Sequence, residues 1–72
     1  MENKLPEVLK ELRLKNNLNQ TQIAQQINVS QRAYSFYEKG QREPNINTLI
    51  KLSSIYGVPI DVLVGKYEIP KN

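Results

Sequence analysis

Residues 20–37, QTQIAQQINVSQRAYSFY, constrain the fold more than any other stretch of this chain. The segment reads as two short helices joined by a tight turn. Ile23, Ala24 and Ile27 form the inner face of the first of these helices. Asn28 stands where the turn needs a positive φ, which asparagine tolerates better than most residues. Val29 anchors the turn, and Ser30 is placed to cap the helix that follows. That helix buries Ala33, Tyr34 and Tyr37 and leaves Gln31, Arg32, Ser35 and Phe36 facing outward. Two helices crossing steeply over a short turn bring their backbones together, so the crossing point needs a small side chain. Ala24 supplies it. A helix held in this way has one face free to enter a DNA major groove.

The flanking sequence continues in helices. Leu5, Val8, Leu9 and Leu12 follow the i, i+3, i+4, i+7 spacing of an amphipathic helix, with Pro6 in its first turn and Asn16-Asn17 able to end it in a left-handed residue. Asn19 reads as the next N-cap, and Gln22 three residues on completes a variant capping box. Lys39-Gly40 ends the third helix, and Pro44 in the polar loop GQREPN discourages helix at Glu43. Asn45 can cap a fourth helix carrying Ile46, Leu49, Leu52, Ser53 and Tyr56, stopped by Gly57. Pro59 opens the first turn of a short fifth helix with Ile60, Leu63 and Val64 before Gly65. Nothing alternates with period 2 over a useful length, the tail aside. The expected fold class is all-α with five helices, in one domain over residues 1–72, with its core in 5–65 and a C-terminal tail in 66–72.

Composition narrows the function by exclusion. The 72 residues contain no cysteine and no histidine, so the thiolate ligands, the commonest metal ligand and the commonest general base are all missing. The seven carboxylates show no paired geometry, no nucleophile has a candidate base, and phosphate-binding motifs are absent. The expectation is no enzyme, no metal, no cofactor and no small-molecule ligand. No apolar run approaches the ~20 residues of a membrane span, and Met-Glu-Asn-Lys does not open a signal peptide, so a soluble cytoplasmic protein without membrane contact is expected. A net charge of +3 and a pI of about 9.3 permit nucleic-acid binding without demonstrating it.

The stretch LNQTQIAQQINVSQRAYSFYEKGQREPNINTLIKLSSIYGVPIDVLVG resembles the Xre/Cro family of helix-turn-helix DNA-binding domains, to which phage repressors belong. The likeness covers residues 9–65. It is most specific in Asn-Gln-x-x-Ile-Ala at 19–24, Glu-x-Gly at 38–40 with Pro44, and Gly-Val-Pro-Ile-Asp at 57–61. Asn28 replaces the family's usual turn glycine, and Tyr34 and Tyr37 stand where smaller aliphatics are commoner. The resemblance implies a five-helix lambda-repressor-like domain whose third helix is the recognition helix. It further implies a sequence-specific transcriptional regulator, a dimeric repressor reading a palindromic operator in double-stranded DNA. An antitoxin or a restriction–modification controller would use the same physics. A protein-binding adaptor on this fold would lack the steep salt dependence of counterion release.

The resemblance also distributes roles. Gln31 and Arg32 open the recognition helix, the end that meets base edges; glutamine can pair bidentately with adenine and arginine with guanine. Arg32 has phosphate as its other destination. Ser35 and Phe36 lie one turn further on the same face, and Phe36 either meets a thymine methyl or a sugar or folds back onto the core edge. Gln20 and Ser30, at the starts of the two helices, and Lys39, Arg42 and Asn45, around the loop, are the expected phosphate contacts, or else solvated polar residues. Arg13 and Glu38 are paired by the resemblance as a structural ion pair between the first and third helices. Domains of this type without a sensor domain work as two-fold dimers with recognition helices roughly 34–36 Å apart. Ile50, Ile55, Val62, Tyr67 and Ile69 are the apolar residues in excess of one small core, available for a homodimer contact, with Tyr67 and Ile69 alternatively folding over the first and fifth helices.

Overall fold

The computed structural model describes residues 3–65. It contains five helices: α1 Leu5–Lys15, α2 Gln20–Gln26, α3 Gln31–Glu38, α4 Ile46–Tyr56 and α5 Ile60–Leu63. There is no strand among the described residues. The core is drawn from every helix, with Leu9, Ile23, Ile27, Tyr34, Leu52 and Leu63 its largest fully enclosed side chains. α1 packs on α3 and α5, α2 on α3, and α4 on α5.

The helix ends explain why the chain turns where it does. α1, α2 and α3 each close with the same pair of backbone bonds. Leu18, Val29 and Gln41 donate to the carbonyls of Arg13, Ala24 and Phe36, and Asn17, Asn28 and Gly40 donate to those of Leu14, Gln25 and Tyr37. This is the Schellman arrangement, which needs a left-handed residue at its apex. Asn17 (φ 57°), Asn28 (φ 62°) and Gly40 (φ 72°) provide it. Leu18 and Val29, the residues after the first two apexes, pack against the core. Gln41 occupies the equivalent place after α3 and is exposed. Asn19, Ser30 and Asn45 cap α2, α3 and α4 through their side-chain oxygens, and at Asn19 the Gln22 side chain returns the bond. A left-handed non-glycine residue is strained, so Asn28→Ala is expected to lose about 1 kcal/mol and Asn28→Gly to stay within a few tenths of wild type. Thermal melts of the two variants check this.

Two packing expectations need correcting. Val62, counted among the spare apolar residues for a dimer, is 4% exposed and belongs to the core. The fifth helix is a single turn, with Pro59 as its N-cap. Its inner side is therefore set by how the chain docks on α1, where Lys4 N–H donates to the Val64 carbonyl, and not by helical periodicity. Val62 and Leu63 face inward, and Ile60 is exposed. Ile46, placed on the inner stripe of α4, is 72% exposed, and Thr48 is buried in its stead. The inward register of α4 runs through Thr48, Leu49, Leu52, Ile55 and Tyr56. Ile55 is thus half-engaged with the core, Ile50 is exposed, and Tyr67 and Ile69 lie outside the described residues.

Candidate nucleic-acid interface

α3 is anchored by Tyr34 and Tyr37, whose rings meet edge-to-face with centroids 6.1 Å apart. With those two buried, Gln31 and Arg32 are left on the exposed side at the start of the helix, and Ser35 and Phe36 are half-buried one turn later. Ala24 lies fully buried where α2 passes α3.

A continuous polar chain runs from the inside of the domain to this surface. Arg13 Nε donates to Glu38 Oε2 at 2.7 Å and Arg13 Nη2 to Oε1 at 3.2 Å, while Nη1 donates to the Leu18 carbonyl at 3.1 Å. Gln20 Nε2 donates to Glu38 Oε1 at 3.2 Å, and Gln31 Nε2 donates to Gln20 Oε1 at 2.6 Å. The side chains of Arg13 and Glu38 are only 11% and 5% exposed. Burial alone would push the Glu38 carboxyl up; the hydrogen bond from Arg13, the neighbouring Tyr34 and Gln20, and the Arg13 charge outweigh it and hold the group below the usual carboxylate range. The bond to Glu38 raises Arg13 in turn, against the opposing effect of burial. The Tyr34 and Tyr56 hydroxyls are buried with no hydrogen-bond partner of ordinary geometry. Burial first, then the nearby Glu38 carboxylate, pushes both phenols up, Tyr56 to about 12, so both stay neutral.

The structure therefore treats the expected site residues differently. Gln31 keeps its amide oxygen and its second N–H outward while one N–H is committed to Gln20, so a bidentate pairing with a base edge remains open to it. Gln20 is held between Gln31 and Glu38, and only part of its amide is left for a phosphate. Ser30 Oγ accepts from Ala33 N–H and Asn45 Oδ1 from Thr48 N–H; the serine proton and the asparagine NH₂ remain as donors. Lys39 and Arg42 are exposed around the turn that follows α3. A Cβ at Gly40 would meet Pro6 Cγ at 3.3 Å, so that turn abuts the start of α1.

Two connections escape sequence reasoning. The Gln20–Gln31 bond joins residues eleven apart that only the helix crossing brings together. Phe36 lies beneath two cations: the Arg32 and Arg42 guanidinium carbons are 5.9 and 5.4 Å from its ring centroid. The i, i+4 spacing of Arg32 and Phe36 on one helix was a usable signal for the first contact. Nothing in the sequence marks the second.

No helix of the described residues is long and apolar enough to cross a membrane, and no group of three or more His, Cys, Asp or Glu among them could hold a metal ion. A family model described as helix-turn-helix matches residues 9–63. The chain is similar to the HTH-type transcriptional regulator ImmR of Bacillus subtilis, with 41% identity covering 89% of this chain and 50% of that protein. It is similar also to the cryptic phage CTXphi transcriptional repressor RstR of Vibrio cholerae, with 42% identity covering 83% of this chain and 54% of RstR. The chain thus spans about half the length of these curated relatives. Its fold is similar to the solved DNA-binding domain of the P22 c2 repressor, with a TM-score of 0.79 and 26% identity over 93% of this chain and 90% of that one.

Proposed function

The chain belongs to the helix-turn-helix family of Xre/Cro type, and from that premise we propose that it is a sequence-specific DNA-binding regulator of transcription. One observation carries the reading: α3 is clamped by Tyr34 and Tyr37 on its inner side while Gln31 and Arg32 present unsatisfied donors and acceptors from the end of the helix that enters a major groove. Ser30, Lys39, Arg42 and Asn45 surround that face with donors for phosphates, and Gln20 braces Gln31 from behind. The activity is binding, without a catalytic step, at DNA in the cytoplasm. The protein acts as a repressor, by occupying promoter DNA and excluding polymerase; the repressors named among its relatives and structural neighbours support this. It works as a homodimer on a palindromic operator, and exposed Ile50, beside Ile46 on α4, offers apolar surface for the contact.

Fluorescence anisotropy tests the reading with a labelled duplex from upstream of the protein's own gene and a scrambled duplex, each at two salt concentrations. Tight binding to the first alone, falling steeply with salt, is expected. Arg32→Ala should weaken it by roughly 1–3 kcal/mol, about five- to 150-fold, while leaving the melting temperature close to wild type. Absence of binding to either duplex at low salt would replace this reading with that of a protein-binding adaptor.

A further inference from the structure

We propose that Phe36 is a positioning residue, a single aromatic platform that aligns Arg32 of the recognition helix with Arg42 of the following loop into one two-arginine reading head. The proposal rests on the DNA-reading function above. Arg32 addresses a base edge, Arg42 addresses the adjoining phosphate, and Phe36 holds both without reading a base itself.

Three observations converge on it. Both guanidinium carbons lie within the ~6 Å at which an aromatic face attracts a cation. Phe36 is half-buried in the α3 surface, so the ring has a fixed seat, whereas Arg32 and Arg42 are exposed. Arg42 arrives by a rigid route: the left-handed Gly40 and the bond from Gln41 N–H to the Phe36 carbonyl at 3.0 Å fold the chain straight back over the residue whose ring it covers. Two like charges brought to one ring in a free protein repel each other, and the ring's negative face offsets part of that repulsion. Long exposed arginines otherwise lose rotamer freedom when they bind, and holding them beforehand reduces that loss.

The test separates the platform from the DNA reading. In the free protein, NMR should show ring-current shifts on the side-chain protons of both arginines, present in wild type and Phe36→Tyr and lost in Phe36→Leu. Duplexes selected from a random-sequence pool by wild-type protein then serve as the probe. Phe36→Leu is expected to bind them about tenfold more weakly, with Phe36→Tyr within twofold of wild type. In the double variant Phe36→Leu/Arg42→Ala the two losses should fall short of additive, because both act through the same guanidinium. Melting temperatures and amide spectra of each variant establish that it is folded. Unshifted arginine protons in wild type, wild-type affinity in Phe36→Leu, or strict additivity with Arg42→Ala would each overturn the platform. A wild-type protein that selects no duplex but shows both ring-current shifts would overturn the DNA reading and, with it, the reading role of the pair, while leaving the stacked geometry established.

Discussion

Replacement of Glu38 by alanine is expected to cost about 3 kcal/mol of folding stability, because it strands a buried, bidentate arginine. For a domain of this size, whose total stability is on the order of 5 kcal/mol, that is most of what holds it folded. Arg13→Ala strands the carboxylate instead and should cost a similar amount, whereas the apolar pair Arg13→Met/Glu38→Leu should recover much of the loss, since neither member is then left buried and charged. Acid gives an independent reading. The folded Glu38 carboxyl lies below its ordinary value of 4.5. The stabilisation it contributes is therefore fully present above that ordinary value and is lost as pH falls through the lower folded one. Denaturant melts from neutral pH downward should show wild type losing this increment on the acid side and Glu38→Ala showing no corresponding drop. At temperatures where the variant is still folded, its preference for specific over scrambled duplex should change less than its stability. A Glu38→Ala melt indistinguishable from wild type would show the pair to be neutral.

The second large effect is expected at Ala24. Ala24 is fully buried in α2, the helix that packs on α3, so Ala24→Leu should destabilise the domain by about 3 kcal/mol through overpacking. The consequence for binding is separable from the loss of folded protein. Forcing the two helices apart breaks the 2.6 Å bond by which Gln20 braces Gln31. DNA affinity, corrected for the folded fraction, should therefore fall by at least roughly tenfold, the equivalent of one good base contact. Ala24→Gly is the control: it makes no clash and costs about 1 kcal/mol in helix propensity, so it should retain binding. Equal affinities for the leucine and glycine variants, once folding is accounted for, would show that the crossing does not set the reading face.

What could be read from the chain and what could not divides along a physical line. The cap at Asn19, the left-handed asparagines at 17 and 28, the stripe Leu5, Val8, Leu9, Leu12 and the buried Tyr34 and Tyr37 were all legible, because each depends on groups within four or five residues of one another. The five helices follow from those signals, and the family-specific motifs extend them to the helix-turn-helix of α2 and α3. On α4 the inward places of Leu49, Leu52 and Tyr56 were legible, but those of Ile46 and Thr48 were not. Ile46 and Thr48 differ in the direction opposite to their hydrophobicity, since the angle at which a helix meets its neighbours selects its inner face. Val62 was misplaced for a related reason, a single turn being too short for periodicity to define a face.

By itself, then, the sequence determined the number and order of the helices, their ends, and which helix turns its polar edge outward. Those properties rest on local hydrogen bonds and on the period of apolar residues. Only the tertiary structure decided how the outward residues are held: Gln31 braced by Gln20, Gln20 by the Glu38 that the family resemblance had already paired with Arg13, and Arg42 brought to the Phe36 ring beside Arg32. Those contacts join positions that are brought together by a helix crossing and by a fold-back at Gly40. Their distances depend on how whole elements pack, which no local pattern of residues encodes.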